Sequence, residues 1–256
     1  MALVPILILT SVLGSARAQF LPPNSARIPM IQRGDLPPSV DPDRARAEAT
    51  LREFARSTAP LFAARGWTLT MDLHWEDPQV NAQATRDADK NPVIRVYGGL
   101  LRHPRVLNNP DVLSVILCHE VGHFLGGAPK QLRGNSGLRS WSSAEGEADY
   151  FAGAKCVSHV LGEPPGGDPR SRAHAASLAA TLLYSDVTGF TKPSLDSHDG
   201  SVAPETILNG YPAIQCRLDT IVDGLACPIP DTEPLDDEDP SISACGRPAC
   251  WFRPQP

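Results

Sequence analysis

The stretch that most constrains this chain is Cys118-His119-Glu120-Val121-Gly122-His123, with Glu145-Gly146-Glu147-Ala148-Asp149 following it. Ahead of the first segment, Asn109-Pro110-Asp111 has the form of an N-cap, a proline at the first helical position and a first-turn acid. Behind it, Gly126-Gly127 is a helix stop. A helix over this span sets His119 and His123 four residues apart on one face, one turn above the other. Two imidazoles so placed can grip one metal ion, and Glu120 sits on the same turn as a proton acceptor for water made acidic by that ion.

Zinc suits imidazole donors, and a catalytic zinc site has three protein ligands with the fourth position left for water, so a third ligand must come from elsewhere. The HExxHxxGxxH continuation fails: Gly126 stands where that pattern wants glycine, but Pro129 stands where it wants histidine. The gluzincin arrangement, a glutamate from a later helix, fits. Glu145 becomes the ligand, and Asp149, four residues on along the same face, accepts from a ligand imidazole's other N–H. Other readings compete for these residues. Ser142-x-x-Glu145 is also a capping box with Trp141 as its staple residue. Glu147 is the reserve ligand, although its two-residue offset turns it to another side of the helix. Cys118 abuts a ligand but points about 100° away from it, towards packing.

The N-terminal end reads differently. Leu3 to Leu13 is apolar but too short to span a bilayer in a mature protein, and Ala16-Arg17-Ala18 is an A-x-A cleavage signal. Residues 1–18 therefore read as a secretory signal peptide, which predicts export to the periplasm or beyond the cell. No later stretch is long and apolar enough for stable membrane insertion. Residues 19–40 read as a proline-rich leader, 41–226 as the domain that carries the metal-site segments, a zinc metallopeptidase domain on the resemblance given below, and 227–256 as an acidic, proline-rich tail. Six cysteines in an exported chain favour disulfides; Cys245 and Cys250 are the pair that sequence proximity favours most.

Six of the 29 acidic residues fall in Asp231–Asp239, so the rest of the chain holds as many acids as its 23 lysines and arginines. A neutral body lacks the basic face that nucleic-acid binding needs. The tail reads as a solvated extension tied off by Cys245 and Cys250.

Along the chain, Asp41-Pro42 opens a helix that runs to Gly66 past a kink at Pro60. Trp67, Leu69, Met71, Leu73 and Trp75 alternate with polar residues as in a half-buried strand, which leaves His74 at the surface. Val80–Thr85 and Val93–Tyr97 are two more strands, and an exposed edge at Val93–Tyr97 could hold an extended peptide by main-chain pairing. Ala128–Ser140 reads as a flexible loop bordering the cleft. Helices follow over Ala144–Leu161 and Arg170–Val187, and a last one opens at Pro212.

Taken together, the segments from Val80 to Leu225 resemble the Ste24/HtpX-type metallopeptidases, a gluzincin family. The resemblance rests on Val80-Asn81-Ala82 before a strand, Val93 to Leu101, the two zinc segments, and Tyr211-Pro212 followed by Arg217. It implies an α+β, mostly helical, minigluzincin-like domain with a small sheet beside the HExxH helix, and Zn2+-dependent endopeptidase activity on polypeptide substrates. Protein quality control in the envelope is one setting for such an activity. The metal residues would be His119, His123 and Glu145, with Glu120 as base and Asp149 as support. Tyr211 and Arg217 are candidate donors to an oxyanion, Tyr211 standing where the family often has histidine. Arg217 reads equally well as an ion-pair partner of Asp149 or Asp219. The rival readings are an exported zinc-containing binding or chaperone-like module and a metal-free disulfide scaffold.

Overall fold

A computed structural model describes residues 18–30, 41–162, 169–230, 233–236 and 247–254. The hydrophobic part of the expected signal peptide, residues 31–40 of the leader, and Cys245 with most of the acidic tail lie outside the described residues. The fold is mixed α/β, with helices outweighing strands. Helix α1 (Pro42–Ala63) opens on Asp41, whose side chain accepts from the Asp43 N–H, and continues past Pro60. Strands β1 (Ala18–Gln19), β2 (Thr70–His74), β3 (Ala82–Arg86) and β4 (Pro92–Tyr97) form one sheet in the order β1-β3-β4-β2. β2 runs parallel to β4, and β3 is antiparallel to both β4 and β1.

This order corrects the expectation for Val93–Tyr97. β4 is an interior strand whose Ile94 and Val96 are fully buried, so it offers no free edge. The edge belongs to β3, and it is occupied by Ala18, the last residue of the expected signal peptide, and Gln19, the first of the leader. Gly98–Leu101 is a one-turn helix, α2, followed by α3 (Pro104–Leu107).

Helix α4 (Pro110–Leu125) starts where its punctuation predicts, with the Asn109 side chain accepting from the Asp111 N–H. Every residue from Val115 to Leu125 is buried. A helix apolar nearly all round must be surrounded, and α4 is covered by the sheet, by α5 and by α7. The expected loop after it is instead a hairpin, β5 (Lys130–Leu132) with β6 (Arg139–Ser143), whose irregular register accommodates the intervening turn.

Helix α5 (Glu145–Phe151) widens into a π segment (Ala152–Val157) and continues as α6 (Ser158–Leu161); α7 (Pro169–Thr188) and α8 (Ile214–Ala226) complete the helical layer. Gly122 brings α4 and α5 together, because a Cβ at that position would lie 2.6 Å from the Ala148 carbonyl oxygen. Cys118 joins the same two helices through a disulfide to Cys156 in the π segment. The bond therefore ties α4, next to His119, to the helix that carries Glu145. In chain-entropy terms, closing a loop of 38 residues' separation stabilises the fold by about 4 kcal/mol.

The tail pairing also differs from expectation. Cys250 bonds Cys216 on α8, not Cys245, and residues around it pack on the body. Trp251 is fully buried with its ring against Gly146, where any Cβ would meet the indole at 2.3 Å. Short sequence separation favoured the Cys245–Cys250 loop; packing of Trp251 against the start of α5 carries Cys250 to Cys216 instead. None of the described cysteines is free. Disulfides of this kind mark an oxidising compartment, and no described helix is long and apolar enough to cross a membrane.

Candidate metal centre

Ligand atoms of His119, His123 and Glu145 lie within 4.8 Å of one another. Glu145 Oε2 is 3.2 Å from His119 Nε2 and 3.7 Å from His123 Nε2. Donors around one tetrahedral zinc, bonded at about 2.0–2.1 Å, sit about 3.4 Å apart, so the spacing suits a shared ion. All three atoms are buried and make no hydrogen bond. Buried polar atoms are otherwise almost always satisfied, and three orphans converging on one point fit a metal that all three would bind. The second described cluster, Asp199 with Cys216 and Cys250, is consumed by the disulfide between its two cysteines.

The other ring nitrogen of each histidine is held. His119 Nδ1 lies 2.7 Å from Asp149 Oδ1, and His123 Nδ1 lies 3.0 Å from the Ser143 carbonyl oxygen and 3.1 Å from Ser142 Oγ. An Nδ1–H donated to these acceptors leaves Nε2 with its lone pair towards the metal position. Asp149 is held in turn by Arg217, whose Nε and Nη2 donate to its two oxygens at 2.6 and 2.9 Å. Of the two partners suggested for Arg217, Asp149 is the one it takes. Asp219 instead accepts from the Asp199 N–H and from Gln215.

The rival roles for the acids resolve through their neighbours. Ala144, not Ser142, is the N-cap of α5, so Glu145 is the first helical residue and closes no capping box. Gln131 Nε2 donates to its Oε1 at 3.2 Å, leaving Oε2 for the cluster. Glu147 is turned away and paired bidentately with Arg247, at 2.5 and 2.8 Å, which removes it as a ligand. His74, placed on the polar face, pairs with Asp72.

Burial is the largest influence on Glu120 and raises its carboxyl to about 8, with Glu145 adding to the rise and His119 opposing it. Its Oε1 accepts from the Phe20 N–H at 2.7 Å, while Oε2 has no partner. Burial also opposes charge on His119, but Asp149 outweighs it and raises the imidazolium to about 9. A metal on Nε2 must displace that proton. Zinc affinity is therefore expected to climb by roughly tenfold per pH unit between pH 6 and 8 and to flatten above about 9. Competition against a chromophoric chelator at several pH values measures the slope, and a flat profile would remove His119 from the ligand set.

Sequence reasoning missed Phe20 and Gln131, and it noted Asn81 without a role. Phe20, 1% exposed, packs its ring edge-on to His119 at 5.3 Å. Its carbonyl accepts from Arg217 Nη1 at 2.6 Å. The Tyr211 hydroxyl reaches the Gln19 and Leu21 carbonyl oxygens, each at 3.2 Å. The signal for Phe20 was available: Phe20-Leu21 is an apolar island immediately before Pro22-Pro23. Compared with protein-family models, curated proteins and solved structures, the chain matches none of them.

Proposed function

We propose that the protein is an exported, zinc-dependent endopeptidase with a gluzincin-type, minigluzincin-like site. The observation that carries this reading is the set of buried, unpartnered atoms: His119 Nε2, His123 Nε2 and Glu145 Oε2 as ligands, with Glu120 Oε2 unpartnered on the same helix turn. A site serving structure alone has no use for that fourth group. Zinc, when bound, supplies a Lewis acid that polarises a carbonyl and lowers the pKa of water.

The chain's own residues do the rest. Glu120 accepts a proton from the attacking water and passes it to the leaving amine. Burial keeps the Tyr211 phenol protonated, so its hydroxyl remains a donor to a developing oxyanion. Asp149 fixes the His119 ring, and Arg217 fixes Asp149 while donating to a main-chain carbonyl. The signal-peptide reading and the disulfides support an exported setting for it.

Purified protein is expected to hold one equivalent of zinc and to release amines from an unfolded polypeptide in a reaction stopped by 1,10-phenanthroline. Cleavage that survives complete removal of metal would overturn the reading. Zinc without cleavage would favour a binding module instead.

A further inference from the structure

Residues 18–21 lie over the His119–Glu120 turn as an extended segment, and Gln19 to Leu21 are the part that stays when the expected signal peptide is cut after Ala18. Ala18 pairs with Ala84 and Gln19 with Gln83, adding a short antiparallel strand to the edge of β3. Main-chain pairing of this kind is how an extended peptide joins a sheet edge. Asn81 then clamps the segment, accepting from the Leu21 N–H at 3.1 Å and donating to the Gln19 side chain and the Leu21 carbonyl at 3.0 Å each.

The peptide bond between Gln19 and Phe20 is bracketed by the groups assigned to catalysis. Its carbonyl oxygen accepts from the Tyr211 hydroxyl, and its N–H donates to Glu120 Oε1. The next carbonyl, that of Phe20, accepts from Arg217. The Phe20 ring fills an apolar and cationic recess, edge-on to His119 and with the Arg217 guanidinium carbon 4.8 Å from its centroid. Ala18, Phe20 and Leu21 are at most 1% exposed, as are His119, Glu120 and His123. No external polypeptide can reach the cluster while this segment stays in place.

We infer that Gln19-Phe20-Leu21 is a built-in occupant of the substrate cleft. It excludes other chains until displaced, and its pose reports what the cleft selects: an extended peptide with a bulky aromatic residue on the carboxyl side of the bond held between Tyr211 and Glu120. The consequence for turnover rests on the peptidase reading above; the occlusion itself does not.

The test uses the full chain as wild type, as Phe20→Gly, and as Asn24→Ala. Asn24 holds the segment from outside the cleft by donating to the Pro22 and Val80 carbonyls, so its replacement loosens the leader without touching the site. Binding of a fluorescent Ala-Gln-Phe-Leu-Pro-Pro peptide is followed by anisotropy beside hydrolysis of an unfolded polypeptide. Both variants are expected to bind the peptide at least about tenfold more tightly than wild type. The same peptide with aspartate in place of phenylalanine is expected to bind none of them. Equal peptide affinity in wild type and variants overturns the occlusion, and so does faster hydrolysis in neither variant when wild type hydrolyses. A gain in binding with no hydrolysis by any form keeps the occlusion and overturns the peptidase. If Phe20→Gly does not fold by circular dichroism, Asn24→Ala decides alone.

Discussion

Glu120→Gln is expected to lower kcat on an unfolded polypeptide by at least about a hundredfold while zinc content and thermal stability stay at wild-type levels. The amide matches the carboxyl in shape, and its carbonyl oxygen can still accept from the Phe20 N–H, which donates to Glu120 Oε1 in the wild type. What the amide cannot do is take up the proton of the attacking water. Stability should not fall, because burial is the main force raising the Glu120 carboxyl to about 8 and a neutral side chain avoids that cost. The sign of the pH dependence follows. A base acts when deprotonated, so activity rises with pH through the ionisation of Glu120. A cation beside it lowers its pKa, which sets the acid limb of the wild-type profile below about pH 8. Amine release, metal analysis and a melting curve test all three parts. A glutamine variant keeping more than a tenth of the rate would take the proton-carrying role away from Glu120.

How much of this was legible in the sequence depended on how local the governing rule is. The period of a helix is fixed by its own backbone, so His119 and His123 on one face, and Glu145 with Asp149 on another helix, followed from spacing alone. The sequence favoured Glu145 over Glu147 by helical offset alone, and the residue that pairs with Glu147, Arg247, comes from a segment 100 residues further on. Disulfides were expected, but their pairing was hidden for the same reason. Nearness in sequence favoured Cys245 with Cys250, whereas the fold carries Cys250 to α8. Residues 130–132, Lys-Gln-Leu, have no alternating pattern of their own and become a strand only by pairing with β6. β1 is two residues long and bounded by prolines on its C-terminal side, too short for any periodicity to announce it. The candidate ligands were thus readable and the segment that covers them was not.

Arg217→Met is expected to destabilise the protein by about 3–5 kcal/mol, read from denaturant unfolding, because it strands the Asp149 carboxylate in the interior. Asp149 and Arg217 are 0% and 1% exposed at their side chains, and Arg217 grips both carboxylate oxygens, one of which also faces His119 Nδ1. Burial works against charge on Asp149, and Arg217 first, then His119, outweigh it to hold the carboxyl below its ordinary value. Removing both ends of the pair should cost much less, since Asp149→Leu with Arg217→Met leaves no unpaired charge behind. Stability and metal binding should therefore part company in the double variant. Folding recovers most of the loss, but His119 Nδ1 has no carboxylate to orient it, and zinc affinity stays about 10–100-fold below wild type. If stability and zinc affinity instead recover together, Asp149 serves the fold and not the orientation of His119, and the chain of contacts from Arg217 to the ligand ring carries no chemistry.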